Sequence, residues 1–181
     1  MDTSWYDRFE ASLQSDLLEL CARQGWLQGR IMECDDLNRQ WKRLAPEYMP
    51  DAVAQFNAYP LATLAWPGYM GMAEAALWDE DWERNRSFGY AFLHGGAGFD
   101  TLDERVLRDL LHMEPDSAEA RQTDNRLERL ATLANDRLRH EGAEPGSADA
   151  FYLFSRALKA MYRVGVALEL QRRGYHWEKM E

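Results

Sequence analysis

The sequence predicts an all-α fold: a single-domain helical bundle of about six or seven helices covering residues 1–181, with a Pro-kinked central aromatic helix. Three observations carry that expectation. Apolar residues recur at spacings of three and four, strand-like alternation is missing, and the periodic segments are separated by Gly, Pro and short polar runs. With 181 residues, 46% of them hydrophobic and 12% aromatic, the chain is long enough to bury one sizeable core. No repeat of solenoid length is visible.

Taken in order, TSWYDRFEASLQSDLLELCARQG opens with Ser4 and Asp7 at capping-box spacing. It then sets Trp5, Phe9, Leu13, Leu17, Leu20 and Cys21 on one stripe before Gly25 stops it. Asp35 or Asp36 caps a short helix carrying Leu37, Trp41 and Leu44 that ends before Pro46, and Pro50 and Asp51 start another through Phe56. Pro60 suits the first turn of the next helix.

Residues 58–83, AYPLATLAWPGYMGMAEAALWDEDWE, form the apolar spine. Pro67 lacks an N–H and restricts Trp66, so the expectation is a break or sharp kink there. Gly71, Ala73, Ala75 and Ala76 are small enough to let another helix approach, and Trp78 and Trp82 are expected to stack at i,i+4. Thr101 and Glu104 have capping-box spacing for a helix with Leu102, Val106, Leu107, Leu110 and Leu111, closed by Pro115. A long helix follows with Leu127, Leu130, Ala131, Leu133, Ala134 and Leu138 as its stripe, then the loop HEGAEPGSAD. The last helix, residues 149–173, aligns Phe151, Phe154, Leu158, Met161, Tyr162, Gly165 and Leu168 before Gly174.

Charge narrows the function classes. The net charge of −10 argues against nucleic acid as partner, since duplex affinity rests on Lys and Arg neutralising phosphates. Residues 1–113 hold 19 acids against 10 bases, so steering from that part favours cationic ligands or basic protein surfaces, beside the plainer reading of a solvated acidic surface. Residues 52–73 carry no charge, but Gln55, Asn57, Pro60, Pro67, Gly68 and Gly71 interrupt the run, so no membrane span is expected. The N-terminal residues lack the pattern of a secretory signal, and Cys21 and Cys34 stand outside any CxxC pair. The expected setting is therefore cytoplasmic, with reduced thiols.

Catalytic signatures are sparse. Asp109 and His112 at i,i+3, and Asp136 and His140 at i,i+4, are spaced for shared metal ligation, but 31 acids make such coincidences common, and surface ion pairs are the favoured reading. No metal and no other cofactor is expected. HGGAG completes neither a phosphate loop nor a GxGxxG fingerprint, and no GxSxG elbow occurs.

The leading functional expectation is a protein-interaction or regulatory module that takes a protein partner. The alternative is a small-molecule-binding protein or enzyme with an acidic aromatic pocket around residues 66–82, formed by Trp66, Tyr69, Met70, Glu74, Trp78 and Trp82, which suits a small cationic or polar organic ligand. Glu74 is the focus, because the helix around it is apolar on nearly every side. Its carboxyl is expected to be buried and hydrogen-bonded, in a structural or ligand-facing role, with Arg84, Arg86, Tyr69 and Tyr90 as candidate partners.

Overall fold

The computed structural model of the protein describes residues 3–28, 30, 31 and 34–175, and among these it contains seven α-helices and no strand, a single-domain all-α bundle. Helix α1 (Ser4–Arg23) turns Tyr6, Phe9, Leu13, Leu17 and Cys21 inward. Tyr6 replaces Trp5 at the start of the buried stripe, because the Trp5 indole points outward to donate to Glu141, at 2.8 Å. Thr3, not Ser4, occupies the N-cap position. Gly25, at φ +74°, ends the helix with Trp26 N–H bonded back to Cys21 O at 2.8 Å.

Helix α2 (Asp35–Gln55) runs unbroken through Pro46 and Pro50, where the sequence suggested two short helices. Both prolines lie four apart on the exposed face, so the carbonyls they leave unpaired can meet water while Leu37, Trp41, Leu44, Tyr48 and Ala52 keep a continuous buried face.

Helix α3 (Pro60–Asn85) is the centre of the bundle, and it overturns the expected break at Trp66–Pro67. The single interruption is at Asp81, with φ −168° and ψ 87°. Pro67 lacks the N–H that would bond Thr63 O in the helical ladder. The Tyr48 hydroxyl of α2 donates to that oxygen at 2.7 Å, so the missing bond is replaced from outside the helix. At Asp81 the side chain accepts from Arg84 N–H at 3.3 Å, the geometry of an N-cap starting a last turn. The Asn85 amide reaches back across this break to Leu77 O at 3.0 Å.

Beyond α3, helix α4 (Tyr90–His94) is followed by a 3₁₀ turn (Gly98–Thr101), helix α5 (Leu102–Arg105) and a π-helical turn (Val106–Leu110). The single helix expected after Thr101 is thus two short pieces, one α and one π, and Thr101 makes no side-chain cap bond, although Leu102, Val106, Leu107, Leu110 and Leu111 are all buried as foreseen. Helices α6 (Ala118–His140) and α7 (Ala148–Arg172) are each capped by a serine: Ser117 Oγ accepts from Ala120 N–H and Ser147 Oγ from Ala150 N–H, both at 3.1 Å. The α7 stripe is buried except at its first member, Phe151, which is 42% exposed.

α3 packs most extensively on α7, with α6, α2 and α1 arranged around that pair. The crossing is backbone to backbone. A Cβ on Gly165 would lie 2.1 Å from Gly68 O, and one on Gly71 would lie 2.2 Å from Tyr162 O. No described helix is long and apolar enough to cross a membrane.

Candidate functional site

Around the α3 axis the six candidate residues diverge. Trp66 is buried and its Nε1 donates to Phe99 O at 2.6 Å, with Tyr69 at 5.6 Å in an edge-on ring contact. Tyr69 carries its hydroxyl to Asp124 of α6 at 2.5 Å, and burial together with this carboxylate pushes the phenol far above its ordinary range. Met70 is fully enclosed in the core.

Trp78 is partly buried at the other end of the helix, where its Nε1 donates to Asp36 at 3.2 Å and its ring meets Tyr175 at 5.8 Å. The expected Trp78–Trp82 stack is not formed, because the backbone break at Asp81 lies between them. These residues share one helix, but not one cavity.

Glu74 is the exception that chemistry must account for. It has no exposed surface, as expected, but the expected hydrogen bonds are missing: neither carboxyl oxygen has a partner in full hydrogen-bond geometry, and the donor that acts on it is the Gln40 amide of α2. None of the four side chains proposed as partners reaches it. Tyr69 is committed to Asp124, and Tyr90 to Asp51 at 2.6 Å. Arg84 and Arg86 lie beyond the Asp81 break.

The groups that act on Glu74 come from α2 and α7. Burial raises its pKa, the Gln40 amide and the Arg43 guanidinium lower it, Glu47 raises it, and the net result is a carboxyl pushed up to about 8. On the α7 side stands Tyr162, whose own titration is driven up by burial and by Glu74.

The two α2 donors are already engaged. Gln40 donates to Phe88 O at 3.0 Å and Arg43 donates to Arg86 O at 3.0 Å and Ser87 O at 2.5 Å, so they pin the turn after α3. At neutral pH Glu74 is therefore a protonated carboxylic acid closed inside the bundle.

Glu169, the other fully buried acid, has the opposite environment. Arg172 Nε donates to it at 2.7 Å and Arg172 Nη2 at 2.9 Å, and Arg173 Nε donates at 2.7 Å. Arg173 extends the network to Asp79 at 3.1 Å and Glu80 at 3.3 Å. This is a satisfied structural node tying the end of α7 to α3.

The two Asp–His spacings resolve locally. Asp109 is held by Arg105 at 3.1 Å and Arg108 at 3.0 Å while His112 lies past the end of the π turn, and His140 Nδ1 is 2.9 Å from the Asp136 carbonyl rather than its carboxylate. No group of three or more metal-ligating side chains occurs among the described residues.

The four principal cavities lie elsewhere, and Trp66, Tyr69, Met70, Glu74, Trp78 and Trp82 line none of them. The largest, about 840 Å³, lies between the end of α2, the end of α6 and the start of α7. Val53, Phe56, Leu138, Phe151 and Phe154 supply its apolar wall, and Arg139 is its one charged residue. Phe56 and Phe154 pack at 4.6 Å between ring centres. Sequence reasoning assigned Phe56 and Phe151 to helix faces but found no groove. The available signal was Phe151, one turn ahead of the remaining core stripe in a helix that begins only at Ala148. The chain matches no family model, no curated protein and no solved structure.

Proposed function

We propose that this chain is an intracellular protein-interaction module whose receiving surface is the groove between α2, α6 and α7, and that its occupant is an amphipathic helix of a partner protein bearing a carboxylate opposite Arg139. The observation that carries this reading is where the exposed apolar side chains lie. Of the five large apolar residues exposed among the described ones, Val53, Tyr59, Phe151 and Tyr152 belong to the end of α2, the turn into α3 and the start of α7. Val53 and Phe151 stand in the groove wall itself. Contiguous exposed apolar surface rimmed by polar groups is characteristic of protein-binding faces.

Charge supplies the second constraint. Arg139 makes no ion pair with a described residue, so a carboxylate on the incoming helix gains a partner there, while apolar residues at i, i+3, i+4 and i+7 fill the wall. A small metabolite ordinarily needs several convergent polar groups, whereas this groove offers one cation on an apolar surface. The free thiols of Cys21 and Cys34 accord with the intracellular setting. A cationic ligand around residues 66–82 draws no support from the four cavities, whose linings omit those candidate side chains.

The experiment is site-specific photocrosslinking in the source cells. A photoreactive side chain at Val53 or Phe151 should yield one discrete adduct, which maps to an acid-bearing amphipathic helix and is lost on adding Arg139→Glu. Adducts that form equally well from a photoreactive group at Lys42, three turns earlier on α2 beside a different cavity, would overturn the assignment.

A further inference from the structure

We infer that the cleft between α6, the last turns of α7 and the segment following α1 binds a compact oxyanion group, a phosphate or a carboxylate, through the guanidinium of Arg126. The cleft holds about 190 Å³, and Trp26, Met72, Gln122, Arg126, Gln171 and Arg172 are among its lining residues. It stands apart from the docking groove and shares no residue with it.

Arg126 is partly buried and makes no hydrogen bond or ion pair with any described residue. Its Nε is enclosed without an acceptor. Burial lowers its pKa from the usual guanidinium range, yet an arginine remains charged at neutral pH, so a cation is held where solvation is reduced and no counter-charge is supplied. The neighbouring Arg172 is fully committed, with Glu169 at 2.7 Å and Glu119 at 3.0 Å. Glu119 also lines the cleft, and its charge is met by that pair, which leaves Arg126 as the uncompensated charge.

The cation is also held in place. Its guanidinium carbon lies 5.3 Å from the centre of the Trp26 ring, and the Arg129 guanidinium lies at the same distance, adding positive potential. Trp26 is fixed by its own backbone, through N–H to Cys21 O at 2.8 Å and through its carbonyl, which accepts from the Gln171 amide at 2.7 Å. A planar fork fixed against an aromatic face is arranged for two parallel hydrogen bonds to one oxyanion. The small volume fits such a headgroup rather than a nucleotide.

Isothermal titration calorimetry of the whole chain at low ionic strength, with inorganic phosphate and separately with succinate, tests the assignment and separates the two sources of oxyanion. Saturable one-to-one binding of either anion is expected, with Arg126→Gln weakening it by at least about tenfold, the scale of one lost charge-assisted pair, and Arg139→Gln leaving it unchanged. Because Arg126→Gln could disturb packing on Trp26, the Nε–H resonance of Arg126 in the unaltered protein gives an independent reading. It should shift in step with the calorimetric occupancy. No saturable heat with either anion, a stationary Arg126 resonance, or undiminished binding in a folded Arg126→Gln protein would overturn the proposal.

Discussion

The Tyr48 hydroxyl stands 2.7 Å from the carbonyl oxygen of Thr63, the one oxygen in α3 that Pro67 leaves without its helical donor. A residue on another helix thereby carries a backbone bond across the proline, and the helix remains a single spine. Tyr48→Phe should cost about 1 to 3 kcal/mol by leaving that buried carbonyl unsatisfied. In a Pro67→Ala background, where an N–H is restored, the same change should cost clearly less, and a urea-unfolding double-mutant cycle measures the coupling. Equal costs in both backgrounds would show that the hydroxyl does not replace the proline's bond.

The α3–α7 crossing should tolerate no side chain at Gly165. Gly165→Ala places a methyl group 2.1 Å from Gly68 O, so the helices must separate, and a loss of about 3 kcal/mol or more, or failure to fold, is expected. Gly96→Ala, where no atom lies within 4 Å of the added carbon, should change the unfolding midpoint little.

Leu158, fully buried in α7, should behave as a core residue: Leu158→Ala is expected to cost about 2 to 5 kcal/mol in chemical denaturation through lost transfer energy and the cavity left behind.

Much of this packing was legible in the sequence. The stripes Phe9–Leu13–Leu17–Cys21 and Leu158–Met161–Gly165 lie where their three-and-four spacing put them, because helical periodicity is local and burial follows it. The small residues of α3 likewise announced a close approach. What escaped was non-local. Nothing near Pro67 reveals that Tyr48, nineteen positions earlier, will satisfy Thr63 O, and local rules therefore broke the helix there. The actual break was written in Asp81 as an N-cap residue, but its place in a run of acids hid it.

The candidate site followed the same pattern. Burial of Glu74 could be read from the apolar circumference of its helix. Its weak pairing could not, since that depends on Gln40 and Arg43 being drawn to the carbonyls of residues 86–88 and on Tyr69 and Tyr90 being committed to Asp124 and Asp51.

That isolation sets a pH dependence. The folded-state pKa of Glu74 is raised from 4.5 to about 8, so between those values the folded protein keeps a proton that the unfolded chain releases. Stability from this group is thus fully present below about 4.5, falls by up to about 1.4 kcal/mol per pH unit as pH rises through the window, and levels off above about 8. Glu74→Gln, which stays neutral, should flatten this part of the profile and be more stable than the unaltered protein at pH 9. Parallel stability–pH curves for the two proteins would contradict it, as would a Glu74 side-chain carboxyl carbon-13 shift already at its ionised value by pH 6.

The claim that the Val53–Phe151 groove receives a partner's helix is tested most directly by selecting helical peptides from a displayed library on the purified protein and measuring their affinities by fluorescence anisotropy. Acid-bearing amphipathic sequences should emerge that bind in the micromolar range or tighter and are weakened at least about tenfold by Phe151→Asp and by Arg139→Glu, the scale of losing one anchor contact. A selection that enriches no such sequence, or peptides whose affinity is untouched by both substitutions, would contradict the assignment of that groove.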